Sequence, residues 1–199
     1  RFTIITDEKS DEKMLCVGIG FMPVAALVDY SLTLSLPPRI TADTGIDALT
    51  HAIESYVSQK ANPYSDSQAL SAMRLIGPNL RRAYHDGSDK SARPIGAAFH
   101  VPHGLSNAML LPSVTAFSIP AAPERYADCA RAMGVATAQD SDEQANKKLL
   151  NELQALNDEL KVPTPAQFGI ERQAFFELMP TMAEQALAFS ADIARLSPA

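Results

Sequence analysis

Tryptophan is absent from this 199-residue sequence, cysteine occurs twice, and aromatic residues make up 7%. The two cysteines, Cys16 and Cys129, lie far apart in apolar surroundings, which predicts reduced, buried thiols instead of a disulfide framework. The formal net charge is −6, and lysine and arginine form no run longer than a pair, so nucleic-acid binding is disfavoured. No apolar stretch approaches the roughly 18 residues that span a membrane, and no signal peptide opens the sequence. We therefore expect a soluble, cytoplasmic protein without a membrane partner.

Apolar residues make up 46% of the chain, which is enough for one sizeable core. Three short β-branched or apolar runs come first and predict strands at residues 2–6, 13–17 and 24–29, the first two pairing as a hairpin. The run Gly18-Ile19-Gly20 is not followed by a helix, so a phosphate loop is disfavoured there. The chain starts at Arg1 and enters a strand at once, so we expect that residues preceding it are missing.

Helical periodicity replaces the strand pattern after Pro37-Pro38. The first predicted helix covers residues 39–58. The second runs from Ser65 or Asp66 to Asp86, with a bend at Pro78 and a C-cap at Gly87. Further helices are predicted at residues 105–117, 122–133 and 141–160, in a short segment after Thr164-Pro165, and around residues 175–179. Ser141 and Gln144 form a predicted capping box. A leucine stripe in that helix, predicted to pack in the core, comprises Leu149, Leu150, Leu153, Leu156 and Leu160.

The helix at residues 39–58 combines an apolar face with a polar stripe. Asp47 and His51 stand four residues apart, so both side chains leave the same face and could share one divalent metal. From the spacing alone, an ordinary hydrogen-bonded pair is the better explanation. His103, held between Pro102 and Gly104 near a predicted helix start, is a further candidate ligand, and His100 is a candidate ligand or neighbour.

Two longer segments resemble a known family. Residues 44–58 have the sequence TGIDALTHAIESYVS, and residues 94–108 have the sequence PIGAAFHVPHGLSNA. The first resembles the signature helix of the iron-containing (group III) alcohol dehydrogenases, and the second resembles that family's other signature, notably in its bifunctional aldehyde/alcohol dehydrogenase members. Residues 1–8 and 25–29 are similar to the segments that join the two domains of that family.

The resemblance implies a mainly α, dehydroquinate synthase-like helical bundle that binds one divalent metal, Fe²⁺ or alternatively Zn²⁺, beside an NAD(P)-binding domain. It implies that Asp47, His51 and His103 are metal ligands, that Lys13 contacts the cofactor, and that His100 lies near the site as a proton relay or neighbour. The implied reaction interconverts a primary alcohol and an aldehyde, with the metal acting as a Lewis acid and hydride passing to or from nicotinamide. We also expect a homo-oligomer.

The sequence departs from that family in two places. The glycine-rich nucleotide loop does not occur in these residues, so residues 1–36 are interpreted as a remnant of the nucleotide-domain junction and residues 37–199 as the helical metal-binding domain. Arg93 runs directly into Pro94, where the family has a helical stretch with a further histidine ligand, so we expect a deletion at 93–94. We therefore expect this chain alone to be weakly active or inactive.

Two other functions remain open from the residues. One is a non-catalytic helical module, derived from the same family, that packs on a partner or dimerises. The other is a metal-dependent hydrolase using Asp47, His51 and His103, for which no nucleophile motif is present.

Overall fold

The computed structural model describes residues 2–6, 8, 13–21, 23–27, 29–86, 103–180 and 184. It divides into two compact units: Arg1–Tyr30 together with Ile170–Ala199, and Ser31–Gly169. Helices dominate the described residues, which confirms the mainly α class with a few short strands. Among these residues, no helix combines the length and the apolar character needed to cross a lipid bilayer.

The first unit contains an antiparallel hairpin. Strand β1 (Phe2–Thr6) pairs with β2 (Lys13–Val17), with Phe2 opposite Val17 and Thr6 opposite Lys13, which confirms the predicted hairpin. A single 3₁₀ turn, Ile19–Phe21, follows β2. The same unit includes a helix, α6, over residues 172–180, close to the predicted position.

The third predicted strand, at residues 24–29, is wrong for the part that the structure describes. Residues 23–27 and 29 have no strand conformation, and Val24 and Leu27 are almost fully exposed. An apolar run adopts a strand only where a neighbouring strand supplies hydrogen bonds and packing. In the described residues of this unit the sheet ends with β1 and β2.

In its described residues, the second unit is a bundle of five α-helices. They are α1 (Pro38–Val57), α2 (Pro63–Asp86), α3 (His103–Ser118), α4 (Pro123–Ala132) and α5 (Asp142–Glu159). Short 3₁₀ turns occur at Tyr30–Thr33 and Ile119–Ala121. Each helix matches a predicted one, and α3 begins two residues earlier than expected.

Proline and polar caps define where these helices begin. Proline is the first residue of α1, α2 and α4, where its missing N–H costs no hydrogen bond. Asn62, not Ser65 or Asp66, caps α2: its Oδ1 accepts from the main-chain N–H groups of Tyr64 and Ser65, each at 3.1 Å. The predicted capping box of α5 is confirmed, since both reciprocal hydrogen bonds between Ser141 and Gln144 are present.

Two smaller predictions concern helix ends. The residues after Thr164 form a turn and not the predicted short helix, although Thr164 and Gln167 exchange cap-like hydrogen bonds. Helix α2 continues through Pro78 to Asp86, and the predicted cap at Gly87 lies outside the described residues.

Helix α1 is the central element of the core, since α2, α3 and α4 all pack against it. The leucine stripe of α5 is buried as predicted, apart from Leu150, which is half-buried. Cys129 and Cys16 are both free thiols. Cys129 is buried as predicted, but Cys16 is only partly buried, so the predicted burial is wrong for Cys16. The largest fully buried side chains are those of Ile46, Leu49, Ile53, Met73, Leu149, Leu153, Leu160 and Cys129.

Arginines connect the helices at the edge of this core. Arg39 of α1 donates to the main-chain oxygens of Leu160 and Lys161 beyond α5, at 3.1 and 2.9 Å. Arg81 of α2 pairs with Glu152 and Glu159 of α5. These contacts satisfy carbonyls at the end of α5 and hold the first two helices against it.

Leu149→Ala should destabilise the protein by about 2–5 kcal/mol, because the side chain is fully buried and its removal leaves a cavity. The free energy of unfolding from urea titration measures this effect. Leu75→Ala is the matched control, since Leu75 on α2 is 65% exposed and its truncation should change stability by less than about 0.5 kcal/mol. Equal losses in the two variants would contradict the assigned core.

Tyr56 provides a pH-dependent test of the same packing. Burial, together with its hydrogen bond to Asp128 (2.9 Å), raises the pKa of Tyr56 to about 12. Its contribution to stability is complete below pH 10 and should be lost between about pH 10 and 12, because the unfolded tyrosine ionises first. Thermal unfolding of Tyr56→Phe should show a smaller alkaline loss than the parent. Tyr64→Phe, at an exposed position, should retain the parent's profile.

Candidate metal centre

Helix α1 presents Asp47 and His51 one turn apart, away from its buried face. Ile46, Leu49 and Ile53 point into the core, so the orientation of the helix is determined by packing. The Asp47 side chain is 22% exposed and that of His51 is 59% exposed. Apolar burial on one side of α1 therefore places the polar pair at the surface of the bundle.

The first turn of α3 brings His103 to that pair. Gly104 lies directly against α1: a Cβ atom built there would be 2.7 Å from the main-chain oxygen of Asp43 and 3.3 Å from Cβ of Asp47. Real Cβ atoms do not approach a backbone oxygen so closely, so any larger residue would force the helices apart. The glycine thus permits the helix contact that sets His103 beside Asp47.

The three predicted ligands come together in the structure. Oδ1 of Asp47 lies 3.8 Å from Nε2 of His51 and 3.7 Å from Nε2 of His103. All three donor atoms lie within 4.8 Å of one another. Tetrahedral bonds of roughly 2.0–2.2 Å separate ligand atoms by about 3.3–3.6 Å. The donor set therefore fits one divalent cation, with small adjustments of the side chains.

The chemistry and exposure of these donors are consistent with an open site. Two imidazole nitrogens and one carboxylate suit iron or zinc. The imidazole rings of His51 and His103 lie 6.0 Å apart between centroids and are tilted by 44°. Their side chains are 59% and 61% exposed, so a further ligand can approach from solvent.

Asn107, which the sequence interpretation did not select, also belongs to this cluster. Its Nδ2 donates to Oδ1 of Asp47 at 2.6 Å and lies 3.2 Å from Nε2 of His103. The sequence spacing could have identified Asn107, because it follows His103 by four residues and so lies on the same face of α3, as His51 follows Asp47 on α1.

Asp43, one turn before Asp47, does not join the cluster. Its carboxylate is buried and pairs with Arg39. Burial raises the pKa of Asp43, and the hydrogen bond and charge of Arg39 partly oppose that rise. Asp43 therefore anchors α1 through Arg39 instead of adding a donor to the site.

The structure does not test the other two predicted site residues. His100 lies outside the described residues, and its role stays a prediction. Lys13 is the first residue of β2 in the first compact unit, and its predicted cofactor contact likewise stays a prediction.

Comparison with known proteins identifies the family. The sequence model for the C-terminal part of the Fe-containing alcohol dehydrogenase family matches residues 41–94 and 91–198, which together cover most of the chain. The chain belongs to this family. The match includes all three clustered ligand candidates.

Two alcohol dehydrogenases are similar to the chain over most of its length. It is 33% identical to the NADPH-dependent butanol dehydrogenase of Clostridium saccharobutylicum, over 94% of this chain and 54% of that protein. It is 38% identical to long-chain-alcohol dehydrogenase 1 of Geobacillus thermodenitrificans, over 80% of this chain and 48% of that protein. The chain thus spans about half the length of these relatives.

A solved structure supports the assignment of the fold. A 1,3-propanediol oxidoreductase superposes with a TM-score of 0.81 at 31% identity, covering 94% of this chain and 56% of the other. The fold assigned from the helical pattern and the resemblance is therefore confirmed.

Gly104→Ala should separate the first turn of α3 from α1 and weaken metal binding, because the added methyl meets the Asp43 carbonyl. We expect a loss of about 1–3 kcal/mol in the free energy of unfolding, as for other overpacked contacts. Urea unfolding and Zn²⁺ titration measure the two effects. Gly20→Ala is the control, since a methyl added there meets no atom of the described residues within 4 Å, apart from its own chain neighbours. Unchanged Zn²⁺ affinity in Gly104→Ala would contradict the role assigned to this contact.

Proposed function

We propose that this chain is the metal-binding part of an alcohol dehydrogenase that interconverts primary alcohols and aldehydes with NAD(P). The observation that carries the proposal is the convergence of Asp47, His51 and His103 from two helices, within the donor spacing of one cation. The chain's relatives include butanol and propanediol dehydrogenases, which supports a small alcohol or aldehyde as the substrate.

The residues of the cluster have distinct roles in this proposal. Asp47 contributes the negative charge that a divalent cation needs, and the two neutral imidazoles contribute nitrogen donors. Fe²⁺ fits the family, and Zn²⁺ fits the same donors. When bound, the cation would supply Lewis-acid polarisation of the alcohol or aldehyde oxygen. The exposed faces of His51 and His103 leave that side open to a substrate.

The proposal applies to a larger protein than this chain. Because the chain spans about half of its relatives, we assign hydride transfer and substrate choice to a whole enzyme that contains this domain. An NAD(P)-binding region would supply the hydride acceptor or donor in that enzyme. We expect this chain alone to be weakly active or inactive.

We also propose that a segment is deleted at Arg93–Pro94. The alignment with the butanol dehydrogenase extends over 214 positions, more than the 199 residues of the whole chain, so that relative has additional residues inside the matched region. The family model matches in two pieces that overlap at residues 91–94, which supports this position. The proposed metal site would then rely on the donors that the rest of the chain supplies.

Metal analysis of the purified protein tests the site. After reconstitution with Fe²⁺ or Zn²⁺ and desalting, the parent should retain about one ion per chain, while Asp47→Ala, His51→Ala and His103→Ala should bind at least tenfold more weakly. His85→Ala is the matched control, because His85 is an exposed histidine on α2 away from the cluster. A parent without bound metal, or variants that bind as well as the parent, would refute the site.

A second candidate function is self-association through α3. Leu110, Val114 and Phe117 recur at helical spacing and are 46%, 51% and 88% exposed. The opposite face of α3 is buried through Leu105, Ala108 and Leu111. An exposed apolar stripe of this kind is typical of an interaction surface, which supports a homo-oligomer or a non-catalytic dimerisation module.

Sedimentation velocity over a range of concentrations tests this second function. The parent should dimerise, and Phe117→Ser should shift the equilibrium toward monomer, because it removes the most exposed apolar side chain of the stripe. Tyr64→Ser, at an exposed aromatic position on α2, should leave the equilibrium unchanged. A monomeric parent at all concentrations would contradict the dimerisation function.

A further inference from the structure

The amide of Asn107 bridges two of the three proposed ligands. Its nitrogen lies 2.6 Å from Oδ1 of Asp47 and 3.2 Å from Nε2 of His103. Those two acceptor atoms are 3.7 Å apart, so a single NH₂ group reaches both. No other hydrogen bond of Asn107's side chain is recorded in the part of the chain that the structure describes.

Both contacts of this amide connect it to the proposed metal site. Both of its partners are donor atoms of the proposed metal site, and each would direct a lone pair at a bound cation. The NH₂ group therefore makes the contacts that a cation would otherwise make with Asp47 and His103. A cation bound there must displace this group.

An amide can make that change without moving far. The carbonyl and NH₂ ends have nearly the same size and shape, so a rotation of about 180° about the terminal bond exchanges donor for acceptor. The rotation would direct Oδ1 of Asn107 toward the space between Asp47 and His103. Amide carbonyl oxygens are established ligands of divalent cations.

We propose that Asn107 is a fourth donor of the metal site: its NH₂ group holds Asp47 and His103 together before the cation binds, and its carbonyl oxygen turns to the cation afterwards. This inference rests on the proposed metal-binding function and names a ligand that the family motif does not assign. The described residues otherwise supply three donors, and Asn107 adds a fourth from the same cluster. The exposed side of His51 and His103 leaves a fifth position open to a substrate oxygen. Each helix then contributes one pair of donors at a four-residue spacing.

The donor chemistry predicts a change in metal preference. A neutral carbonyl oxygen is a harder ligand than an imidazole nitrogen, and it favours Mn²⁺ relative to Zn²⁺. With Asn107 bound, the site has two oxygen and two nitrogen donors. Its selectivity for Zn²⁺ over Mn²⁺ should therefore increase when Asn107 is replaced by a residue without a donor.

Titration of the metal-free protein with Co²⁺, followed by visible absorption, tests the proposal. Asn107→Leu has a similar size without a donor, and should bind Co²⁺ at least tenfold more weakly, with an altered absorption spectrum. Asn107→Asp retains an oxygen donor and should bind at least as tightly as the parent. Asn79→Leu is the matched control, because Asn79 is exposed on α2 and donates to its own helix.

The outcomes separate this inference from the proposed function. If the parent binds neither Co²⁺ nor Zn²⁺, the metal site itself is refuted. If the parent binds and Asn107→Leu matches it in affinity and spectrum, the metal site stands and the donor role is refuted. If Asn107→Asp binds as weakly as Asn107→Leu, the amide acts only through its N–H group, which also refutes the donor role.

A direct measurement remains available if Asn107→Leu folds poorly. In the ¹⁵N-labelled parent, the side-chain amide signals of Asn107 should shift on addition of Zn²⁺, while those of Asn79 should not. An Asn107 signal unaffected by saturating Zn²⁺ would overturn the proposal. Circular dichroism of each metal-free variant identifies those whose fold is intact.

Discussion

The close approach of α3 to α1 at Gly104 is the contact on which the candidate centre depends. The Asp43 carbonyl occupies the space that a side chain at this position would need. With hydrogen in place of a side chain, the first turn of α3 lies flat on α1, and its side chains at positions 103 and 107 reach Asp47. A wider separation of the two helices would move His103 away from Asp47, which lies on α1.

The rest of the bundle holds α1 in the orientation that this contact needs. Its apolar face is buried, and Arg39 connects its start to the end of α5. Arg125 connects its other end to α2, by donating to the main-chain oxygen of Tyr56 and to Asp66. The guanidinium of Arg125 also lies 4.0 Å from the centre of the Tyr56 ring. Both ends of the helix that carries Asp47 and His51 are thus held in place by side-chain hydrogen bonds.

The three proposed ligands depend on few structural features. Asp47 and His51 need only the helical repeat of α1, and His103 needs only the contact at Gly104. None of these requirements involves the residues proposed to be deleted at Arg93–Pro94.

Local sequence was sufficient for most of the helices and for selecting the candidate ligands. The helical repeat located α1 to α5, the capping box located the start of α5, and the signature motifs identified the family and selected Asp47, His51 and His103. Patterns of this kind act over a few residues, so they are visible in a single chain. These patterns gave wrong predictions where contacts with residues distant in sequence decide the structure. The apolar run at residues 24–29 has no pairing strand among the described residues, and Cys16 is less buried than its apolar surroundings in the sequence suggested. Only the tertiary structure decided how closely α1 and α3 approach and that Asn107 bridges Asp47 and His103, because both depend on contacts between residues about 60 positions apart.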